Sequence, residues 1–274
     1  MTHRGALNQT GREVDCRVSD SALEKLVGSW RAEEQQPFTG WDFSYLNGRM
    51  HEDLPPWSYL TRAAELMDTS ESVLDMGTGG GERLLALKEH WPKKVAVTED
   101  YPPNVELASS RLGPLGVQVE VVELTGDGVL PFDDGEFELV LNRHSGLNPS
   151  EVTRILARDG SFLTQQIDGR WAYDLAAAFG AEPLWPECTL ATYEDLLSEY
   201  GLTIVTAQDW SGYLSFTDVG AIVYYLKAVP WTVHDFSVGT HIDALLELQR
   251  RLERGSALRF WAGKFLIEAR KDAE

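Results

Sequence analysis

The sequence predicts an α/β protein built on a doubly wound, mostly parallel sheet of seven strands with helices on both faces. Three observations predict it. From Ser72 onward, short apolar runs rich in Val, Leu and Ile alternate with stretches of helical periodicity, the pattern of parallel strands covered on both faces. A glycine-dense corner, "MGTGGGERLL", joins the first of these runs to a helix, as a strand-turn-helix unit requires. At 274 residues, with 43% hydrophobic and 24% charged side chains, the chain is long enough to bury one core with embellishments.

Taken in order, residues 1–18 are polar and unpatterned and read as a tail. A helix is expected from about Asp20, where apolar residues recur at helical spacing after a Ser or Asp cap. "PFTGWDFSYLNGRMHEDLPPWSYL" crowds aromatics among Pro and Gly, which predicts an irregular connector, a candidate lid, leading into a helix near Pro56. "SVLDM", a helix from about Gly81, "KKVAVTE", a helix from about Asn104 and "VQVEVVE" make the first half of the sheet. "FELVLN" is a fourth strand, "PSEVTRILARDG" an amphipathic helix ending in glycine, and "SFLTQQI" a fifth strand. Helical segments follow around Trp171 to Phe179 and Thr192 to Tyr200, then the strand "LTIVTAQDW", the helices "TDVGAIVYYLKAV" and "HIDALLELQRRLERG", and the closing strand "LRFWAGKFLIEAR". The expected organisation is an N-terminal tail and aromatic lid over 1–71, then one sheet domain over 72–274 with a helical insertion at about 216–255.

A formal net charge of −19 with no dense Lys/Arg run argues against nucleic acid as a partner, because phosphates would be repelled. Cys16 and Cys188 show no Cys-x-x-Cys spacing, so neither a zinc site nor a disulfide framework is expected and a cytoplasmic setting is. The N-terminus lacks an apolar signal core, and no stretch of roughly twenty apolar residues is present to span a bilayer. A small-molecule partner, no membrane association, and a monomer or homodimer are the corresponding expectations.

The glycine corner places exposed backbone amides at the carboxyl edge of the sheet, a site for nucleotide-like ligands. A dinucleotide fingerprint wants a third Gly or Ala where Glu82 stands, a carboxylate near the place of a pyrophosphate. S-adenosylmethionine carries an ammonium and a sulfonium and no phosphate, so acidic residues around the corner favour it; Asp75 then becomes an asset. Glu99 ends the next strand about twenty residues on, the distance at which an acid meets ribose hydroxyls, with Asp100 as the neighbouring alternative.

These residues resemble the class I S-adenosylmethionine-dependent methyltransferases, whose sheet is Rossmann-like. Asp75-x-Gly77-x-Gly79-x-Gly81 resembles their first motif, and Glu99 falls at their ribose-binding position. "LPFDDGEFELVLNRH" is similar to the segment leading into their fourth strand, and "EVTRILARDGSFLTQQI" to the helix, turn and fifth strand beyond. The resemblance, which covers 72–167, implies a cofactor site made by Asp75, Gly77, Thr78, Gly79, Gly81, Glu99 and Asp100. It further implies adenine contacts from Glu123, Leu124 or Asp127, and Asn142 beside the methionine part. S-adenosylhomocysteine is the implied product.

For the acceptor side, His144 lies just past the fourth strand, where an imidazole titrating near neutrality suits proton removal; shaping the pocket is its other role. Arg143 is a candidate clamp for a substrate carboxylate or a structural ion-pair partner. Gln165, Gln166 and Asp168 end the fifth strand, and alternation lets only one glutamine face the cleft; Gln166 is the expected contact. Trp41, Phe43, Tyr45 and Trp57 either cover a flat acceptor or fix the N-terminal helices to the sheet, and Tyr213, Phe216, Tyr224, Tyr225 and Trp231 repeat that choice in the insertion. The expected activity is methyl transfer to a small, aromatic-containing metabolite or natural product. An RNA base methyltransferase and a non-catalytic cofactor-binding partner protein are the alternatives.

Overall fold

In the computed structural model, residues 20–38, 41–122 and 128–272 are described. The chain opens with α1 (Asp20–Glu34), the short strand β1 (Met50–Glu52) and α2 (Tyr59–Met67), which is capped by the Ser58 hydroxyl accepting from the Thr61 amide. The alternating part follows as β2 (Ser72–Met76), α3 (Glu82–Ala86), β3 (Lys94–Glu99), α4 (Pro102–Leu112), β4 (Gln118–Val121), β5 (Phe137–Arg143), α5 (Pro149–Ile155) and β6 (Leu156–Ile167). Then come α6 (Tyr173–Ala178), α7 (Leu190–Glu199), β7 (Leu202–Phe216), α8 (Val219–Ala228), α9 (Ile242–Glu253) and β8 (Leu258–Lys271). No helix among the described residues is long and apolar enough to cross a membrane.

All strands join one sheet in the order β1-β7-β8-β6-β5-β2-β3-β4. From β4 through β6 the pairing is parallel; β8, β7 and β1 are added antiparallel. The Rossmann-like α/β fold is therefore present with eight strands instead of seven. The extra strand, Met50–Glu52, pairs with Leu214 to Phe216 at the far end of β7. It carries no periodic signal because it is three residues long and exists only where β7 offers an edge.

The two faces of the sheet are sorted by alternation. Val140 opposes Phe162 and both lie under α5 and α7, whereas Leu141 opposes Leu163 and both lie under α2 and α4. A third core joins α1, α8 and α9 to the outer strands through Trp30, Ile222, Leu245 and Phe260. Helix α8 is buried on almost every side, as its near-continuous apolar sequence requires. Arg62 of α2 grips buried Glu268 of β8 with two hydrogen bonds of 2.7 and 2.8 Å, fixing that helix to the sheet.

Helix α5 stops at Ile155 and does not run on to the glycine turn. Leu156 is drawn into pairing with Phe137, and Lys271 of β8 donates to the freed carbonyls of Thr153 and Leu156 at 2.7 and 2.8 Å. Tertiary partners here override a helical sequence pattern.

Candidate active site

Parallel pairing brings the carboxyl ends of β2, β3, β5 and β6 to one edge of the sheet, where a doubly wound fold forms its crevice. The corner after β2 bends through left-handed backbone at Gly77, Gly79 and Gly81, with φ of 66°, 64° and 82°. The three glycines serve different ends. A Cβ on Gly81 would meet Leu112 of α4 at 2.9 Å, so that glycine lets α4 pack, whereas a Cβ on Gly79 would meet nothing within 4 Å. Gly79 thus faces open space over a strained bend, a cradle that a side chain would fill.

Glu99 ends β3 directly beneath this cradle. It is 5% exposed. One carboxylate oxygen accepts from the Gly79 amide at 2.7 Å, and the other from the Asp100 and Tyr101 amides at 3.1 and 3.0 Å. Three backbone donors hold its charge in place, and one acceptor site is left, on the oxygen that the Gly79 amide meets. The Asp100 side chain is exposed, so the amide of Asp100, not its carboxylate, shares the network. Beyond Glu99, Asp100, Tyr101, Pro102 and Val121 border a groove of about 490 Å³. Glu123, Leu124 and Asp127 lie outside the described residues; Tyr101 and Pro102, signalled only by following Glu99, and Val121 at the end of β4 are the groove residues that sequence reasoning missed.

Asp75, inside the corner, is pushed up to about pKa 6, chiefly by burial, with Thr78 and Arg143 opposing the shift. The Thr78 hydroxyl is buried without a hydrogen bond of normal length. The donor set suits a nucleoside with a cationic tail: a fixed carboxylate for ribose hydroxyls, an acid for an ammonium, an unpartnered buried hydroxyl, and bare backbone. Glu82 contributes less than its position suggested. Its exposed carboxylate is turned to Arg111, which also donates to the Gly80 carbonyl at 2.9 Å. The carboxylates left facing the corner are those of Asp75 and Glu99. Helix α3 spans only Glu82–Ala86, so its dipole adds little.

On β5 and β6 the expected contacts divide by face. Asn142 is fully buried; its amide donates to the Gly146 carbonyl at 3.2 Å and accepts from Thr164 and Gln166 at 2.9 and 2.5 Å. Gln166 also donates to the Ser145 carbonyl at 3.0 Å. Both amides tie down the loop after β5. Asp168 is likewise buried and paired with Arg170 at 2.7 Å. Arg143 and Gln165, directly paired across the strands, occupy the opposite face with Asp75.

Gln165 forms a relay that fixes the histidine. The Trp57 indole N–H donates to Gln165 Oε1 at 2.9 Å, and Gln165 Nε2 lies 3.0 Å from His144 Nε2. Because an indole only donates, the amide nitrogen must face the imidazole, whose Nε2 accepts. Burial, then Arg143, Lys264 and Arg83, holds the His144 pKa well below 6.5. The expected imidazole titrating near neutrality is corrected: the ring is neutral, its basic nitrogen is occupied, and its backbone sits at φ 54°.

Among the described connector aromatics, Trp57 is the one bonded to this edge of the sheet, through Gln165. Phe43 packs on Phe38 and Tyr225, Tyr45 lies 4.6 Å from Tyr224, and Trp41, 60% exposed, meets Trp231 at 5.7 Å. These rings pack the connector against α8 and Trp231. Phe216 also packs on Tyr225, and Tyr213 lies under Arg259 at 3.9 Å. The neighbours that sequence reasoning missed are Tyr59, Glu52, Lys264 and Trp171. Lys264 is buried, paired with Glu52 of β1 and placed 5.4 Å over the Trp171 ring.

Residues 74–164 match the family model described as a methyltransferase domain. The chain is 30% identical over 110 residues to a demethylmenaquinone methyltransferase of Deinococcus radiodurans, across 39% of this chain and 45% of that protein. The match thus spans less than half the length of that relative. Its fold is similar to the YcgJ protein of Bacillus subtilis at TM-score 0.56 and 18% identity, covering 78% of this chain and 98% of that one. It is also similar to a functionally unknown protein from Deinococcus radiodurans R1 at TM-score 0.53 and 15% identity, covering 92% and 99%.

Proposed function

We propose that this chain, whose central part is a class I S-adenosylmethionine-dependent methyltransferase domain, methylates a small acceptor, a metabolite or natural product with an aromatic portion. The observation that carries the proposal is the Glu99 carboxylate anchored under the open backbone of Gly79. Glu99 would hold the ribose hydroxyls, Asp75 the ammonium, and the bare corner would admit the rest of the cofactor at close range. Bound S-adenosylmethionine supplies an electrophilic methyl group: a lone pair on the acceptor bonds to the methyl carbon as the carbon–sulfur bond breaks, and that bond's electrons stay on sulfur in S-adenosylhomocysteine.

The chain's own contribution is alignment in a dry, polar pocket, which suits an in-line displacement. Trp57 beside Gln165 and Tyr59 beside Asp75 would offer ring surface to the acceptor, which supports one with an aromatic portion. His144, neutral and held by Gln165, acts here as a fixed wall of that pocket. The acceptor would arrive with its lone pair already free, as an amine, an ionised oxygen or an electron-rich carbon.

Calorimetry should give binding of S-adenosylmethionine and S-adenosylhomocysteine and none of NAD. Incubating the protein with methyl-labelled cofactor and small-molecule extracts, followed by mass spectrometry, should yield one labelled product. Tight NAD binding with no affinity for the sulfonium would sink the proposal. Binding without any labelled product would favour the non-catalytic alternative.

A further inference from the structure

Two polar groups on the acceptor side lack the partners their burial calls for. Arg143 is half-buried and makes no hydrogen bond or ion pair among the described residues. Its acidic neighbours Asp75 and Glu52 act on it only at longer range, and Glu52 is paired with Lys264. Tyr59, 7% exposed, buries its hydroxyl beside Arg143, Asp75 and the Asn142 backbone without a hydrogen bond of normal length. A buried hydroxyl and a half-buried cation are both costly to leave unsatisfied, so both groups favour a ligand that satisfies them together.

The sheet register places them on one surface. Asp75 opposes Leu141, Arg143 stands two residues beyond Leu141, and Arg143 opposes Gln165; all share the face covered by α2 with Tyr59. The glycine cradle and Glu99 lie to one side of Arg143, and Gln165 with Trp57 and His144 to the other.

We propose that Arg143 and Tyr59 together receive an anionic group, a carboxylate or a comparably charged oxygen, carried by the acceptor. The proposal rests on the methyl-transfer reading above. A guanidinium fork matches a carboxylate with two parallel hydrogen bonds, and the phenol adds a third donor. An anion pinned there fixes the acceptor's angle of approach. It also fits a pocket whose histidine is in no position to take a proton. The competing source of the same chemistry is the α-carboxylate of the cofactor itself.

The test uses the full chain loaded with S-adenosylhomocysteine and titrated with a set of arene carboxylates and their matching carboxamides, read by tryptophan fluorescence. Carboxylates should bind at least about tenfold more tightly than amides, as a charge-assisted pair requires. Arg143→Met should erase that preference, Arg143→Lys should keep part of it, and Tyr59→Phe should weaken carboxylate binding by about threefold, one hydrogen bond's worth. Affinity for S-adenosylhomocysteine at about pH 8, where Asp75 stays ionised even without Arg143, should stay within about twofold in all three variants. Equal binding of acids and amides, or binding of neither, overturns the proposal. A tenfold or larger loss of S-adenosylhomocysteine affinity in Arg143→Met, about 1.4 kcal/mol, also overturns it and assigns the anion site to the cofactor. Wild-type protein that fails to bind S-adenosylhomocysteine overturns the methyl-transfer reading itself, before the acids are added.

Discussion

The two sides of the cleft are made from different materials. On the glycine side the geometry is mostly backbone: three left-handed glycines within one corner, and one carboxylate accepting three neighbouring amides. On the side of Arg143 it is side chain, gathered from segments as far apart as Trp57, Arg143, Gln165 and Lys264. A backbone cradle is local in sequence and tolerates no substitution at its bends. A convergence of long side chains is distributed, and each member contributes modestly.

The largest expected effect breaks the backbone side. Gly79→Val places a β-branched residue at φ +64° and fills the open space above the bend; S-adenosylmethionine affinity by calorimetry should fall by at least about a hundredfold, with the far-UV circular dichroism retained. Gly81→Ala sharpens the contrast, because its Cβ would strike Leu112 and the loss should register as lower urea stability.

Glu99→Ala comes next. Removing an acid that accepts from three amides and is proposed to hold the ribose should weaken cofactor binding by about 2 kcal/mol, roughly thirtyfold. An affinity unchanged within error would move the ribose contact away from this residue.

The third effect is pH-dependent. Burial raises Asp75 to about 6, so the carboxylate is largely ionised at pH 7 and largely protonated at pH 5. A cationic ligand prefers the ionised form; its affinity should drop about tenfold between pH 7 and pH 5, with proton release on binding near pH 6. Asp75→Asn should flatten that profile, and a profile equally steep in the variant would assign the titration to another group.

Smaller effects belong to the side-chain half. Trp57→Phe removes the donor that orients Gln165 and should raise the acceptor KM by about fivefold, near 1 kcal/mol. Smallest of all, His144→Asn should leave kcat within about threefold, whereas loss of a true general base would cost about a hundredfold or more. A collapse of that size would restore the histidine to proton transfer.

How much of this was legible in the chain follows the same division. Strands β2 to β6, the glycine corner and Glu99 were readable because each depends on residues adjacent in sequence, through period-two apolar runs, glycines at positive φ and a short strand-to-strand spacing. The roles of the connector aromatics were not. Trp41, Phe43 and Tyr45 have the composition of a ligand cover, and only the position of α8 turns them into packing for Tyr224, Tyr225 and Trp231. Nor does anything local separate Gln165 from Gln166; the register against Arg143 and Asn142 does.

The sequence by itself determined a parallel α/β core with a glycine-lined, acid-flanked corner, since backbone conformation and alternation are encoded residue by residue. Tertiary structure alone decided that His144 is neutral, that β1 adds an eighth strand, and that Tyr59 comes to lie over the sheet face that carries Arg143. Those outcomes depend on burial and on charges brought together from distant segments, and neither quantity exists until the chain is folded.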